Sequence, residues 1–219
     1  MTRGSRSTGR TGWSPGIPEA TVRAIETHLS EREARRERIH TDARNLRRAA
    51  QGVMILLHEG KPAERAARRL GRNLRALVRA TRATWGSEAG LARDAIQEAV
   101  EALLLVAIDR GRALPSPADL GVDPEPYLLG LGDVVGEVRR RALLQLASDD
   151  LESAEASVRL MEHLYQTLMR FDTTRAIVPL KPKQDTARSL LERTRGEVVL
   201  ARVHARYRGA SPPSVAEEP

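Results

Sequence analysis

The chain has 219 residues, no cysteine and a formal net charge of +7. The missing cysteines exclude disulfides and thiolate metal centres, which fits a reducing compartment. No apolar run approaches the roughly 20 residues of a membrane-spanning helix, and the N-terminus lacks the apolar core of a signal peptide. We therefore expect a cytoplasmic protein with no membrane partner.

Helix-forming residues dominate the composition. Hydrophobic residues make up 41% of the chain but aromatic residues only 3%, so Ala and Leu must supply most of the packing, and both favour helices. Alternating apolar runs bounded by turn residues, which would indicate strands, are nearly absent. The sequence therefore predicts an all-α fold.

Six long helices are predicted in chain order from apolar residues at helical spacing. They cover residues 18–59, 62–84, 91–110, 127–147, 151–170 and 184–207. Proline and glycine at 111–126 indicate a loop. Residues 1–17 are expected to form a disordered basic arm and 209–219 a disordered tail. This leaves one domain at 18–208, a single antiparallel bundle of about six to seven helices.

The third predicted helix carries acids on an otherwise apolar surface. Asp94, Glu98 and Glu101 lie three or four residues apart and so share one helical face. The rest of the segment is Ala, Val, Ile and Leu almost all round, which is typical of a buried helix. A carboxylate there must be paired, protonated or bound to a metal, because an isolated buried charge is too costly.

A second acidic pair, Asp133 and Glu137, lies four residues apart on the next long helix. Gly130, Gly132 and Gly136 stand beside it, and glycines inside a helix indicate the close approach of another helix or a ligand. If the two acidic helices pack together, their carboxylates repel one another and some pKa values rise unless a cation intervenes. Oxygen ligands suit Mg²⁺ or Mn²⁺. The alternative is that the glutamates pair with arginines of the first helix.

Positive charge is concentrated in the first part of the chain. Residues 1–85 carry 19 Lys and Arg against 8 Asp and Glu, and only Lys61, Lys181 and Lys183 are lysines in the whole sequence. The planar guanidinium of Arg suits phosphate, which indicates a nucleic-acid partner. A solvated basic surface with no partner explains the same composition.

Several segments resemble the translin and translin-associated factor X family, in the family's order and over about residues 20–208. The most characteristic is "DPEPYLLGLGDVVGEVRRRAL". The segment "EARRERIHTDARNLRRAAQGVMILLHEG" resembles the family's first helix, and "GRALPSPADLGV" resembles its loop before the Tyr-Leu motif. The segment "KPKQDTARSLLERTRGEVVLARVHAR" is similar to its last helix.

The motif "QEAVEA", residues 97–102, matches the catalytic translin-associated factor X branch of this family. The resemblance implies a metal-dependent endoribonuclease that cleaves single-stranded RNA, with Glu98, Glu101 and Asp133 holding Mg²⁺ or Mn²⁺. Glu137 would assist them in catalysis. The chain departs from the family in Gly132, in the valines after Asp133, and in Ala99, changes that affect packing more than chemistry. The alternative is a non-catalytic, translin-like protein that binds single-stranded RNA or DNA.

Basic side chains form the second candidate site. The stretch "RATRATW" weakly resembles a basic-aromatic segment that translin uses for nucleic acid, and Trp85 would stack on a base there. The predicted nucleic-acid-binding residues are Arg44, Arg48, Arg79, Arg82 and Trp85. A packed Trp85 amid solvated arginines is the alternative. The resemblance further implies a homo-octamer, or a hetero-octamer with a translin-like subunit.

Overall fold

The computed structural model describes residues 16–82, 88–171 and 177–209. Across these residues the chain forms seven α-helices and no β-strand, which confirms the predicted all-α class. None of these helices has the length and apolar character needed to cross a bilayer. The helices are α1 (Glu19–His58), α2 (Glu64–Arg82), α3 (Glu88–Asp109), α4 (Pro117–Leu120), α5 (Pro124–Ala147), α6 (Leu151–Met169) and α7 (Lys181–Gly209).

Contacts divide the chain after Arg38 into two units. In the first unit, the opening turns of α1 are exposed at nearly every position, including the apolar Ile25 and Leu29. Charged pairs such as Arg23 and Glu19, 3.9 Å apart at i,i+4, accompany these turns. Such surface pairs contribute little to stability.

The second unit begins at Ile39 and contains the hydrophobic core. Within it, α5 packs against α3, α6 and α7, and α3 also packs against α2. Most of its largest fully buried side chains are aliphatic, among them Leu46, Leu70, Leu74 and Leu104. Each such burial contributes about 1.5–3 kcal/mol, so a chain with a single Phe builds its core from many Leu, Val and Ala residues.

The segment 111–126, predicted to be a loop, contains the short helix α4 and the first turn of α5. A capping box forms α4: the hydroxyl of Ser116 accepts a hydrogen bond from the Asp119 N–H, while the Asp119 carboxylate accepts one from the Ser116 N–H. Gly121 ends this turn at φ 72°. Pro117, Pro124 and Pro126 stand in first helical turns, where a missing N–H costs nothing.

Side-chain bonds fix α7 against its neighbours, near its start and near its middle. Gln184, 2% exposed, donates its Nε2–H to the carbonyl oxygen of Leu168 at 2.9 Å. Arg139 on α5 donates two bonds to Glu197 on α7, at 3.0 and 3.4 Å. α7 begins at Lys181, three residues before the predicted start, because Pro182 is tolerated in a first turn. These bonds hold Lys183 at a defined place beside α5.

Candidate active site

Gly130 brings α5 onto α3 at the level of the acids. A Cβ added at Gly130 would lie 2.9 Å from the Gln97 carbonyl oxygen and 3.0 Å from Val100 Cγ1. Both distances are shorter than ordinary van der Waals contact, so only glycine permits this approach. The close helix contact predicted from the glycines is confirmed here.

The other two glycines of this helix differ from Gly130 and from each other. A Cβ at Gly132 would lie 2.8 Å from Lys183 Cβ, so a side chain of α7, not the α3 backbone, occupies that space. At Gly136 an added Cβ would meet only Leu190 Cδ1 at 3.9 Å, which is ordinary contact. The expectation that packing requires a glycine was therefore wrong at Gly136 among the described residues.

The contact between α3 and α5 gathers three other carboxylates around Glu101. The pKa of Glu101 is raised from 4.5 to about 7, first by burial and then by the charges of Asp133, Glu137 and Glu98, while the Lys183 ammonium opposes the rise. The mutual repulsion expected for converging acids is present. Asp94 lies outside this group, with its side chain 79% exposed.

Glu101 has no hydrogen-bond or ion-pair partner among the described residues. Its surface is partly buried, and its neighbours on both helices carry the same charge. A half-buried carboxylate in this setting is either protonated or needs a cation to balance its charge. Glu101 is therefore the member of the cluster whose charge the protein leaves unbalanced.

The three other acids each have a partner. Glu98 forms a salt bridge with Arg47, whose Nε lies 2.9 Å from Glu98 Oε1, so the predicted salt-bridge alternative holds for this residue. Asp133 accepts a hydrogen bond from Gln97 Nε2 at 2.6 Å, and its other oxygen contacts the Lys183 ammonium.

Glu137 is the fourth acid, and its Oε2 lies 2.7 Å from His58 Nε2. Arg140 is more distant, at 4.0 Å from the same oxygen. The carboxylate is therefore hydrogen-bonded to an imidazole from the end of α1.

Two of these partners, Gln97 and Lys183, were not predicted from the sequence as members of the site. Gln97 was visible only as the first letter of "QEAVEA", and Lys183 is 50 residues from Asp133. A signal for Lys183 existed in Gly132, because a glycine beside an acid leaves room for a long side chain. Periodicity along one helix gives no information on which residue fills that room.

The donors suit a divalent cation in chemistry and charge. They are carboxylate oxygens, which Mg²⁺ and Mn²⁺ prefer, and Glu101 supplies an unbalanced charge. In the part of the chain that the structure describes, however, no three His, Asp or Glu side chains are already arranged as a ligand set. Lys183 contacts one of the oxygens that such a set would need.

A cavity of about 210 Å³ opens next to the cluster. Its floor is apolar, with Leu57, Leu105 and Val138, whereas His58 and Glu137 lie at its edge. Arg140 and Arg141 also line it. The acid cluster thus borders a space with both an apolar surface and basic groups.

Among the described residues, the predicted nucleic-acid-binding arginines do not all line one groove. Arg48 lines a groove of about 1150 Å³ between α1 and α2, but Arg44, Arg79 and Arg82 do not. Arg82 is paired with Asp123 at 2.6 Å. Trp85 lies outside the described residues.

Three arginines of α2 that were not predicted line the same groove: Arg65, Arg69 and Arg72. Their spacing of four and three residues places them on one helical face, a signal that the sequence contained. Asn45 and Asn73 supply further polar groups. The groove is therefore a concave, basic and hydrogen-bonding surface.

Some known proteins resemble this chain in sequence and in fold. No family model matches the sequence. An uncharacterised protein of Methanocaldococcus jannaschii is 42% identical over 104 residues, a match that spans 47% of this chain and 47% of that protein. The chain thus aligns with about half the length of this curated relative.

Solved structures match over much more of the chain. A structure of AfC3PO in complex with duplex RNA is 33% identical, with a TM-score of 0.77, and the match covers 84% of this chain and 97% of that one. A crystal structure of AfC3PO alone gives 31% identity and a TM-score of 0.69, covering 84% and 98%. Apo-NeC3PO, at 20% identity and a TM-score of 0.75 over 86% and 100%, shares the fold. The chain belongs to the C3PO/translin family.

Proposed function

We propose that this protein is a Mg²⁺-dependent endoribonuclease of the catalytic, translin-associated factor X-like branch, acting on single-stranded RNA. The observation that carries the proposal is Glu101, an acid with no partner among the described residues, at the centre of carboxylates drawn from α3 and α5. RNA as the ligand is supported by the AfC3PO structure, which contains duplex RNA.

Glu98, Glu101 and Asp133 are the residues that would hold the divalent ion, Mg²⁺ or Mn²⁺. Such an ion, when bound, supplies polarisation of water and of the phosphate and balances the charge that develops in hydrolysis. The chain's own contribution is orientation. Arg47 orients the Glu98 carboxylate and Gln97 orients the Asp133 carboxylate, so two of the proposed ligands are positioned before an ion binds.

Glu137 and His58 are assigned a proton-handling role. Their 2.7 Å contact joins an acid and an imidazole, the two groups most used for proton transfer. Glu137 would accept a proton from the attacking water at its other oxygen, Oε1, while the His58 Nε2–H donates to Oε2 and holds the carboxylate in place. Both residues line the 210 Å³ cavity.

RNA affinity is assigned to the arginine groove between α1 and α2. Arg48, Arg65, Arg69 and Arg72 present guanidinium groups along a concave surface, and such groups bind phosphate without reading sequence. Release of counterions makes this binding strongly dependent on salt.

Assembly into an octamer, either of this chain alone or with a translin-like subunit, is part of the proposal. Apolar side chains on α7 support it: Val199 and Leu200 are 59% and 60% exposed, and Tyr207 is 76% exposed. A stripe of this kind on one helix is typical of a surface that a partner covers.

A cleavage assay tests the activity. Labelled single-stranded RNA and the corresponding duplex are incubated with Mg²⁺ and the parent, Glu101→Gln, Asp133→Asn or Glu192→Gln proteins. Glu192 is the matched control, an exposed acid paired only with Arg188 on its own helix. We expect cleavage by the parent and by Glu192→Gln and a loss of at least a hundredfold in the other two. Equal rates in all four would refute the assignment.

The second candidate function is RNA binding without cleavage. It is favoured by the partners that Glu98, Asp133 and Glu137 already have, because satisfied acids need no metal. In that case the parent binds RNA with salt-dependent affinity but cleaves neither substrate with Mg²⁺ or Mn²⁺.

A further inference from the structure

Lys183 stands where a cation is needed. Its ammonium group contacts Asp133 Oδ1, and the side chains of the two residues are only 31% and 27% exposed. The same ammonium also acts on Glu101, the acid without a partner. One lysine thus offsets part of the negative charge of the whole cluster.

The backbone of α5 is shaped to receive this lysine. Lys183 Cβ, Cγ and Cδ lie 2.8, 3.2 and 3.5 Å from the place of a Cβ at Gly132, so the aliphatic stem crosses α5 over the glycine. Gln184, the next residue, is buried and bonded to Leu168. Packing therefore sets where the lysine stem begins, while the ammonium at its end is held by Asp133.

Lys181 shows what an ordinary lysine of this helix does. Its ammonium pairs with Asp185 one turn later, at 2.8 Å, and its side chain is 48% exposed. Two residues apart on α7, one lysine makes a solvated pair within its helix and the other reaches into the acid cluster. The contrast supplies a matched control.

We propose that Lys183 is the resident counter-cation of the carboxylate cluster and that a divalent ion binds there only by displacing its ammonium group from Asp133. The inference rests on the proposed function, since it concerns the same site. An ammonium and a divalent ion cannot share one carboxylate oxygen without strong repulsion at a few ångströms. Lysine suits such an exchange because its charge sits on a flexible stem that can withdraw.

The exchange has a measurable consequence. Removing the ammonium removes the competitor, so divalent ions should bind more tightly to a Lys183 variant than to the parent, by about tenfold or more. A lysine that merely assists metal binding, or serves only packing, gives the opposite change or none.

The test measures Mn²⁺ affinity of the full-length protein, without RNA, by electron paramagnetic resonance of the free ion. The proteins are the parent, Lys183→Met, Lys183→Gln and Lys181→Met. We expect both Lys183 variants to bind Mn²⁺ at least tenfold more tightly, with Lys181→Met within twofold of the parent. The glutamine variant keeps a hydrogen-bond donor beside Asp133, so it reports on charge even if the methionine variant folds poorly.

Glu101→Gln separates the two claims. If Mn²⁺ binding depends on Glu101 but Lys183 variants bind no more tightly than the parent, the exchange is refuted and the metal site stands. If Mn²⁺ affinity is the same in Glu101→Gln and in every other variant, the cluster does not bind the ion, and both the exchange and the proposed metal site fail.

Discussion

Replacing Gly130 by alanine tests whether close helix contact builds the site. The added Cβ would lie 2.9 Å from the Gln97 carbonyl oxygen and 3.2 Å from the Glu101 nitrogen, both backbone atoms that cannot rotate away. Overpacking of this kind costs about 1–3 kcal/mol, and alanine returns up to about 1 kcal/mol through its helix propensity. We therefore expect Gly130→Ala to lower the free energy of unfolding by about 1–2 kcal/mol.

Gly136 provides the control on the same helix. A Cβ there meets only Leu190 Cδ1 at 3.9 Å, so alanine adds helix propensity without a clash. We expect Gly136→Ala to be stabilising by up to about 1 kcal/mol.

Thermal unfolding followed by circular dichroism measures both variants. With a shift of about 2–4 °C per kcal/mol for a chain of this size, the two melting temperatures should move in opposite directions. If both variants melt above the parent, or if Gly136→Ala loses as much stability as Gly130→Ala, the close contact at Gly130 does not limit the packing of α5 on α3.

Three further predictions follow from the described geometry. The raised pKa of Glu101, about 7 in the fold against 4.5 in the unfolded chain, means that the native state binds the extra proton. The free energy of unfolding of the metal-free parent should therefore fall relative to that of Glu101→Gln as pH rises from about 4.5 to 7, by at most about 3 kcal/mol. Denaturant unfolding measures both proteins across that range, and a difference between them that does not change with pH would refute this. In a filter-binding titration, Arg69→Gln should weaken RNA binding and reduce the slope of log affinity against log salt by about one. Arg188→Gln, a variant away from the groove, should change neither the affinity nor the slope. Equal slopes for all three proteins would refute the groove as the RNA-binding surface. Light scattering should give the mass of eight chains for the parent or for its complex with a translin-like subunit, and a smaller mass for Leu200→Glu, whereas a monomeric parent would contradict the assembly.

The helical architecture could be predicted from the sequence because it depends on the local spacing of apolar residues. Apolar residues at i, i+3 and i+4 mark the long helices, and their observed ends lie within a few residues of the predicted ones. The segment 111–126 was misread because proline and glycine mark loops and first helical turns alike. The Ser116–Asp119 capping box distinguishes the two here, and its Ser-x-x-Asp spacing was a sequence signal of a helix start that went unused.

The acid cluster was predictable in part. Spacing of three and four residues places Glu98 with Glu101 and Asp133 with Glu137, and the glycines beside the second pair indicated that another segment comes close. Lys183 could not be predicted from such patterns. Its role depends on how α7 crosses α5, a contact between residues 50 positions apart.

Anomalous scattering from a crystal soaked in Mn²⁺ would show whether the acid cluster binds a divalent ion. We expect a peak bounded by carboxylate oxygens of Glu98, Glu101 and Asp133, with the Lys183 ammonium withdrawn from Asp133. A map with no peak among these three residues, and with Lys183 still on Asp133 at saturating Mn²⁺, would contradict it.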